Sequence, residues 1–415
     1  MLNIYPSTAW GEMDAPPSKS MTHRLLILAA LSRGESVLKN VSESQDVCAT
    51  IDCLTALGAQ LARQGTTVTV QGTDLQSPAE PLCLPCRESA STLRFLIPLA
   101  LLTGRDAAFT GSPALFARPL SAYEELCARQ GTLFRRGEDR LELSGRLKPA
   151  TYEIPGDVSS QFASGLMLAL PFLPQASELR LLPPVESRPY LELTLHALAS
   201  FGVRVVRVGD ERYYIPGAQK YKAHNATVEG DWSNAAYLEA LNLLGGRVKL
   251  RGLDPYSKQG DRVFRRHFSA LKKGFATVDL RDCPDLGPIL FALAAELHGG
   301  LFTGTQRLRL KESDRCAAMA EELCKLGAEV LVEDDHVWIG DHALFAPEEP
   351  LDAHGDHRVA MALSVLLTKY GGQLDGETSV GKSFPEFFDV LRALGVRIED
   401  APPLELPALP EGVAP

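Results

Sequence analysis

The feature that most constrains the fold is a recurrence. Six times the chain runs through an amphipathic stretch into Leu-x-x-Gly, or a close variant, and then into a β-branched segment. The recurrences end at Gly58, Gly131, Gly202, Gly274, Gly327 and Gly395, at spacings of 73, 71, 72, 53 and 68 residues. Glycine directly after an amphipathic run fits a helix C-cap that turns the chain toward a strand. Units of this length exceed the common solenoid periods, so each is a larger supersecondary unit.

A second element precedes each of these helices: a polar or acidic segment that opens a strongly apolar helix. The first is Ala15-Pro16-Pro17-Ser18-Lys19-Ser20-Met21-Thr22-His23-Arg24, leading into Leu25 to Leu31. The two prolines forbid helix, and Ser18 and Ser20 offer side-chain oxygens to the free N–H groups of a helix start. The others are Glu88 to Arg94, Asp157 to Gln161, Asp231 to Asn234, Asp285 to Pro288 and Asp356-His357-Arg358. Each such N-terminus is a positive dipole end, and six of them can converge on one cleft if the units pack symmetrically. Cations at several caps are disfavoured by the dipole unless an anion is bound, so the pattern reads as an anion site.

Between the helices lie short strands with glycine turns, such as Thr67-Val68-Thr69-Val70 and Val330-Leu331-Val332. The fold class is therefore α/β or α+β. A chain of 415 residues is too long for one core, and the repeats divide into two domains of three units each. The break falls near Glu229-Gly230-Asp231, halfway through the repeats.

The net charge is −10, from 42 basic and 52 acidic residues, with no long Lys/Arg run, which argues against a nucleic-acid partner. Any cationic site is a local concentration in an acidic protein. Eight cysteines are scattered, and the one CxxC, Cys83 to Cys86, has no second pair at zinc spacing. They read as reduced packing residues, hence a cytoplasmic protein. Glu12 and Asp14 interrupt the N-terminus, which lacks an apolar signal core. The uncharged stretch Val158 to Ser177 reads as a buried helix plus a loop, not a membrane span. The proline-rich segment 401–415 reads as a loose tail.

Charged clusters remain. Lys311-Glu312-Ser313-Asp314-Arg315 precedes a helix; if helical itself, it places Lys311, Asp314 and Arg315 on one face, with Ser313 as cap. Arg118-Pro119 follows the loop Gly111-Ser112-Pro113, and Lys382 follows Gly381 before Phe384-Pro385. Asp352 to His357 lacks a helical histidine pair or carboxylate signature, so no metal is expected. No Walker-type loop, dinucleotide fingerprint or GxSxG occurs, which disfavours ATP, NAD and nucleophile-elbow chemistry.

Taken together, Ser18 to Arg24, Ser159-Ser160-Gln161, Lys311 to Arg315 and Asp356-His357-Arg358, in that order, resemble the 5-enolpyruvylshikimate-3-phosphate synthase family. These enzymes move the enolpyruvyl group of phosphoenolpyruvate onto shikimate 3-phosphate. The resemblance runs from Ser18 to Lys382. It implies an inside-out α/β barrel of six βαβαββ units, three per domain. The chain then crosses between domains twice, giving one domain of residues 1–17 plus 230–400 and another of 18–229. Lys19 thus falls at a hinge, and substrate binding is expected to draw the domains together.

By the same resemblance, shikimate 3-phosphate is held by Lys19, Ser20, Arg24, Ser159, Ser160, Gln161, Ser187, Tyr190, Asp285 and Lys311. Phosphoenolpyruvate is held by Lys19, Ala90, Arg118, Gln161, Arg315, Arg358 and Lys382. Asp285 acts as base toward the 5-hydroxyl and Glu312 as acid at the methylene carbon, with Lys19 assisting. No metal or organic cofactor is implied, nor any partner beyond the two substrates, and a monomer is expected. Within the loop Glu88-Ser89-Ala90-Ser91-Thr92, Glu88 stands where the family usually has asparagine, and Ala90 stands where it usually has a glycine that contacts phosphoenolpyruvate and the herbicide glyphosate. Its methyl is expected to reduce glyphosate sensitivity. Arg307 replaces a substrate-contacting asparagine, and that contact is not carried over. The sister enzyme acting on UDP-N-acetylglucosamine normally has a cysteine in the loop that here runs, without one, from Gly111 to Arg118. A binding scaffold or an RNA-end-processing relative of the same architecture is disfavoured by the acidic balance and the lack of basic–aromatic interleaving.

Overall fold

The computed structural model describes residues 1–73, 75 and 82–401. Every recurrence is a helix pair. The apolar members are Lys19–Ala30, Ala90–Thr103, Ser160–Ala169, Trp232–Ala240, Gly287–Glu296 and His357–Tyr370. The amphipathic members are Gln45–Ala56, Ser121–Gln130, Arg188–Ser200, Phe264–Leu271, Arg315–Lys325 and Phe387–Ala393. All six recurrent glycines lie at φ between +69° and +151°, the region that lets the chain leave a helix without a Cβ clash.

The second unit displays the common plan. Leu82–Arg87 pairs in parallel with Ala107–Gly111 across the Ala90–Thr103 helix. After Ser121–Gln130 the hairpin Leu133–Arg136 and Arg140–Ser144 closes the sheet antiparallel. The first unit borrows its opening strand from Ala226–Thr227, and the sixth is completed by Leu2–Ile4 from the other end of the chain.

The fourth unit departs from the expected plan. Among the described residues its sheet has two strands, Trp10–Asp14 and Arg247–Arg251, whereas the other five sheets have four. From Phe264–Leu271 the chain passes straight to Ala276–Asp279, the opening strand of the fifth unit, with no intervening hairpin. The missing hairpin is the reason for the 53-residue spacing. Six complete βαβαββ units are therefore five complete units and one short one.

Two hydrophobic cores result. One draws on residues 21–228, the other on 2–9 and 232–398. The apolar helices run through them: Leu26, Ile27 and Leu28 have no exposed surface, each contributing about 1.5–3 kcal/mol by burial. Helices Ala90–Thr103 and Ser160–Ala169 approach closely at Gly165, where a Cβ would lie 2.6 Å from the Arg94 carbonyl oxygen. The Tyr123 hydroxyl lies 2.8 Å and 2.9 Å from the Arg94 and Phe162 carbonyl oxygens, fixing that junction.

The chain crosses between the cores twice, side by side: Ser18 N donates to Glu229 O at 2.9 Å and Asp231 N to Pro16 O at 2.7 Å. Among the described residues, no helix is long and apolar enough to cross a membrane. Val158 to Ser177 is a helix, one tight turn and a loop into the Ser177–Leu182 strand, as expected. The cysteines are unpaired thiols, but Cys83 and Cys324 are exposed and so are not packing residues. Of the expected tail, residues 402–415 lie outside the described residues.

Candidate active site

The apolar helices point their N-termini at a common cleft between the cores, that of Trp232–Ala240 at an adjoining recess. Their caps differ by half. Ser18, Ser89 and Ser159 accept from the N–H groups of Met21, Thr92 and Gln161, each at 3.3 Å. In the other half Asp231 accepts from Asn234 N at 2.9 Å and Asp356 from Arg358 N at 2.8 Å. Asp231 also accepts from Lys19 N at 3.0 Å, so one carboxylate caps a helix on each side of the crossing.

Three expectations about caps are corrected. Ser20 lies within the first helix and caps nothing. Asp285 sits in the tight turn Pro284–Leu286, where its side chain makes no cap hydrogen bond but reaches basic groups instead. The Lys311–Arg315 cluster is not helical: the helix begins at Arg315, capped by Asp314, while Ser313 bonds Asp356 at 3.3 Å.

On the first wall, buried cations meet neutral acceptors. Arg24 donates to Thr194 Oγ1 at 2.8 Å, Ser20 O at 2.7 Å and Tyr190 O at 3.1 Å, and stacks over Phe95 at 5.1 Å. Arg94 donates to Gln161 Oε1 at 2.9 Å and Pro119 O at 3.0 Å, leaving Nε buried without a partner. Burial pushes the Arg24 guanidinium down to about 10. Burial and then Arg118 push Arg94 down to about 9. Gln161 is aimed by its amide, which donates to Ser91 Oγ at 2.8 Å.

On the second wall, cations and carboxylates interlock. Arg315 donates to Asp356 Oδ2 at 2.8 Å, Asp285 Oδ1 at 3.0 Å and Glu312 Oε2 at 2.9 Å. Asp285 also accepts from Lys311 Nζ at 3.4 Å, Arg358 Nη2 at 3.5 Å and the Tyr190 hydroxyl at 3.3 Å. Burial would raise the Asp285 carboxyl, but Lys311, Arg358, Arg315 and Lys19 together hold it well below the usual range. Glu312 is lowered likewise, with Arg118 and Arg315 outweighing burial. Burial would lower the Arg315 guanidinium, yet Asp356, Glu312 and Asp285 hold it well above its usual value. Lys311 is brought down to about 8, chiefly by burial.

Side chains from the two cores meet across the cleft. Arg118 Nη1 lies 3.4 Å from Glu312 Oε1, and Lys382 Nζ lies 2.6 Å from Glu88 Oε2. Lys19, in the first helix, pairs with Asp46 at 2.8 Å.

Of the expected site residues, Lys19, Ser20, Arg24, Ala90, Arg118, Ser159, Ser160, Gln161, Ser187, Tyr190, Asp285, Lys311, Glu312 and Arg315 line one cleft. Arg358 lines an adjoining recess shared with Lys19, Tyr190 and Asp285. Lys382 is not in the lining; it bonds Gly355 O at 3.0 Å and Glu88. Sequence reasoning assigned no role to Asp46, Arg94, Asp261 or His357, all of which border these spaces. Asp261 lies 3.1 Å from the Tyr190 hydroxyl, and burial followed by the Asp285 charge raises it to about 7. In the Asp352–His357 segment, His354 Nε2 lies 3.0 Å from Glu322 Oε1, which Lys325 also holds. A family model described as EPSP synthase (3-phosphoshikimate 1-carboxyvinyltransferase) matches residues 6–391, nearly the whole chain.

The chain belongs to the EPSP synthase family. The 3-phosphoshikimate 1-carboxyvinyltransferase of Clostridium kluyveri is 36% identical, over 96% of this chain and 98% of its own length. That of Clostridium acetobutylicum is 37% identical, over 95% and 97%. The EPSP synthase structure from Acinetobacter baumannii superposes with a TM-score of 0.77 at 22% identity, covering 96% of this chain and 99% of that one. That likeness establishes the two-domain α/β fold. Against the family pattern, the Glu88–Thr92 loop starts the Ala90–Thr103 helix, and Ala90, 6% exposed, is at its first position on the cleft wall.

Proposed function

We propose that the cleft performs the family's reaction with the residues that line it, and that it does so in two chemically distinct halves. The family reaction transfers the enolpyruvyl group of phosphoenolpyruvate to the 5-hydroxyl of shikimate 3-phosphate, releasing phosphate. The single observation that carries the reading is Asp285. Its carboxylate is held by Lys311, Arg315 and Arg358 across a cleft from the carboxylate-free cations Arg24 and Arg94.

In this reading Ser159, Ser160 and Ser187 hold the phosphate of shikimate 3-phosphate. Arg24 takes its carboxylate, Tyr190 packs on the ring, and Ser20, Lys19, Gln161, Asp285 and Lys311 meet its remaining polar groups. Arg118, Arg315, Arg358 and Lys382 clamp phosphoenolpyruvate with Lys19, Gln161 and the Ala90 surface; arginine offers forked donors to phosphate and carboxylate alike. Protonation of the methylene makes C2 electrophilic, and the 5-hydroxyl attacks as it loses its proton. The tetrahedral ketal then loses phosphate and a methyl proton, so one acid and one base exchange roles between the two steps.

We assign Asp285 as the base and Glu312 as the acid, with Lys19 assisting. In the free protein both carboxyls are held well below the usual range by their cationic neighbours. Phosphoenolpyruvate brings its own negative charge to Arg118, Arg315 and Arg358, which relaxes their hold and raises the proton affinity of both carboxyls. Acid–base work therefore begins only when the donor substrate is in place. The chemistry needs no metal or organic cofactor in this account, since charge is stabilised by fixed cations.

The domains are proposed as residues 1–17 plus 230–400 and residues 18–229, supported by the two cores and the paired crossing. Lys19, beside that crossing, is the hinge contact, and the working protein is a cytoplasmic monomer.

The test is phosphate release from phosphoenolpyruvate, with and without shikimate 3-phosphate, and with UDP-N-acetylglucosamine as the competing acceptor. Release that depends on shikimate 3-phosphate alone is expected; release with the nucleotide sugar would overturn the reading. Adding glyphosate tests Ala90: Ala90→Gly should tighten inhibition about tenfold or more, since one methyl in a pocket is worth 10–200-fold. Inhibition already as tight before the substitution would contradict it.

A further inference from the structure

Arg307 lies in the tight-turn segment Gln306–Leu310 of the second core, yet its guanidinium lines the same cleft as Ser159, Ser160 and Ser187 of the first. Its side chain is only 7% exposed. Nη1 donates to Ser187 Oγ at 2.6 Å, and Nε is buried with no partner. The nearest carboxylate oxygen, Glu186 Oε2, stands at 3.6 Å and has no hydrogen-bond partner of its own. A buried guanidinium with an orphaned donor and an ill-made ion pair is costly in isolation. Here it already contacts one of the hydroxyls assigned to the phosphate. That serine is held at φ +55° at the start of the Arg188–Ser200 helix.

We propose that Arg307 is a further binding residue for the phosphate of shikimate 3-phosphate, supplying the cation that the three serines lack. The proposal rests on the reading of the cleft given above. A phosphate offers several acceptor oxygens, enough to take the orphaned Nε–H and a second N–H in a fork while Ser187 keeps its own contact. Burial lowers the guanidinium in the free protein, consistent with a cation short of counter-charge. The serines come from one core and the arginine from the other, so the bound phosphate ties the two halves together.

The experiment compares shikimate 3-phosphate with shikimate, which lacks the phosphate, as ligands of the wild type, Arg307→Gln and Arg307→Lys. Arg307→Gln should weaken shikimate 3-phosphate by about 10–100-fold, the range of a charged hydrogen-bonded contact, and leave shikimate binding within about threefold. Arg307→Lys, which keeps the charge without the fork, should recover part of the loss and remains informative if the glutamine variant does not fold. Equal losses for both ligands would mean that Arg307 supports the cleft as a whole rather than the phosphate, and no loss for the phosphorylated ligand would mean that it does not touch phosphate; either overturns the proposal. Failure of the wild type to turn over shikimate 3-phosphate would instead overturn the underlying reading.

Discussion

The two walls of the cleft handle buried arginine in opposite ways. Arg24 and Arg94 hydrogen-bond to hydroxyl, amide and carbonyl oxygens, and burial lowers both. Arg315 and Arg358 sit among Asp285, Asp356 and Glu312, and both are raised despite equal burial. The helix caps repeat the contrast, serines on one side and aspartates on the other. A cation without a carboxylate is a vacancy for an anion; a cation among carboxylates is part of a network that sets where protons sit. In the proposed reading the first wall chiefly binds, whereas the second binds phosphoenolpyruvate and also moves protons.

The largest effect that could break this contrast is on stability. Arg315→Met leaves Asp285, Asp356 and Glu312 without their shared partner and should destabilise the protein by about 3–5 kcal/mol. Arg24→Met strands no charge and should shift stability by no more than about 1 kcal/mol, while weakening shikimate 3-phosphate binding. Chemical denaturation measures both, and equal losses would erase the distinction between the walls.

A smaller effect sharpens the contrast at the mouth of the cleft. Lys382 is the one expected phosphoenolpyruvate ligand whose ammonium is paired, across the cores, with an acid half open to solvent, Glu88. Glu88→Gln should release it and lower the KM for phosphoenolpyruvate by about two- to fivefold, the scale of an exposed ion pair, with kcat little changed. Steady-state kinetics at low ionic strength reads this out, and an unchanged or raised KM would assign Lys382 elsewhere.

What was legible in the sequence was what is local. Apolar helices, their serine and aspartate caps and the glycines that end them are settled within a few residues, so the repeat and the converging N-termini could be read directly. The short fourth unit left one trace, the 53-residue spacing, whose cause is a hairpin that is not there. Asp285 read as a cap because an acid before an apolar helix usually is one; the Pro284–Leu286 turn rotates it to the cations instead. Arg94 and Asp261 gained no role because their partners Gln161 and Tyr190 stand 67 and 71 residues away. No periodicity spans such a distance. The roles of Arg118 and Lys382 came only through family resemblance, since isolated basic residues carry no pattern of their own, whereas Lys19 read as part of an anion site from its place at a helix start.

The central claim is that Asp285 on the reacting wall moves a proton while the other wall holds the substrate. Asp285→Asn keeps the shape of the side chain and removes its basicity. The direct measurement is single-turnover phosphate release from phosphoenolpyruvate by this variant, saturated with shikimate 3-phosphate whose affinity is determined separately. The account predicts a rate lower by about 10²–10⁴-fold, the usual contribution of a positioned base, with affinity for shikimate 3-phosphate retained within about tenfold. Phosphate release at the wild-type rate would contradict it.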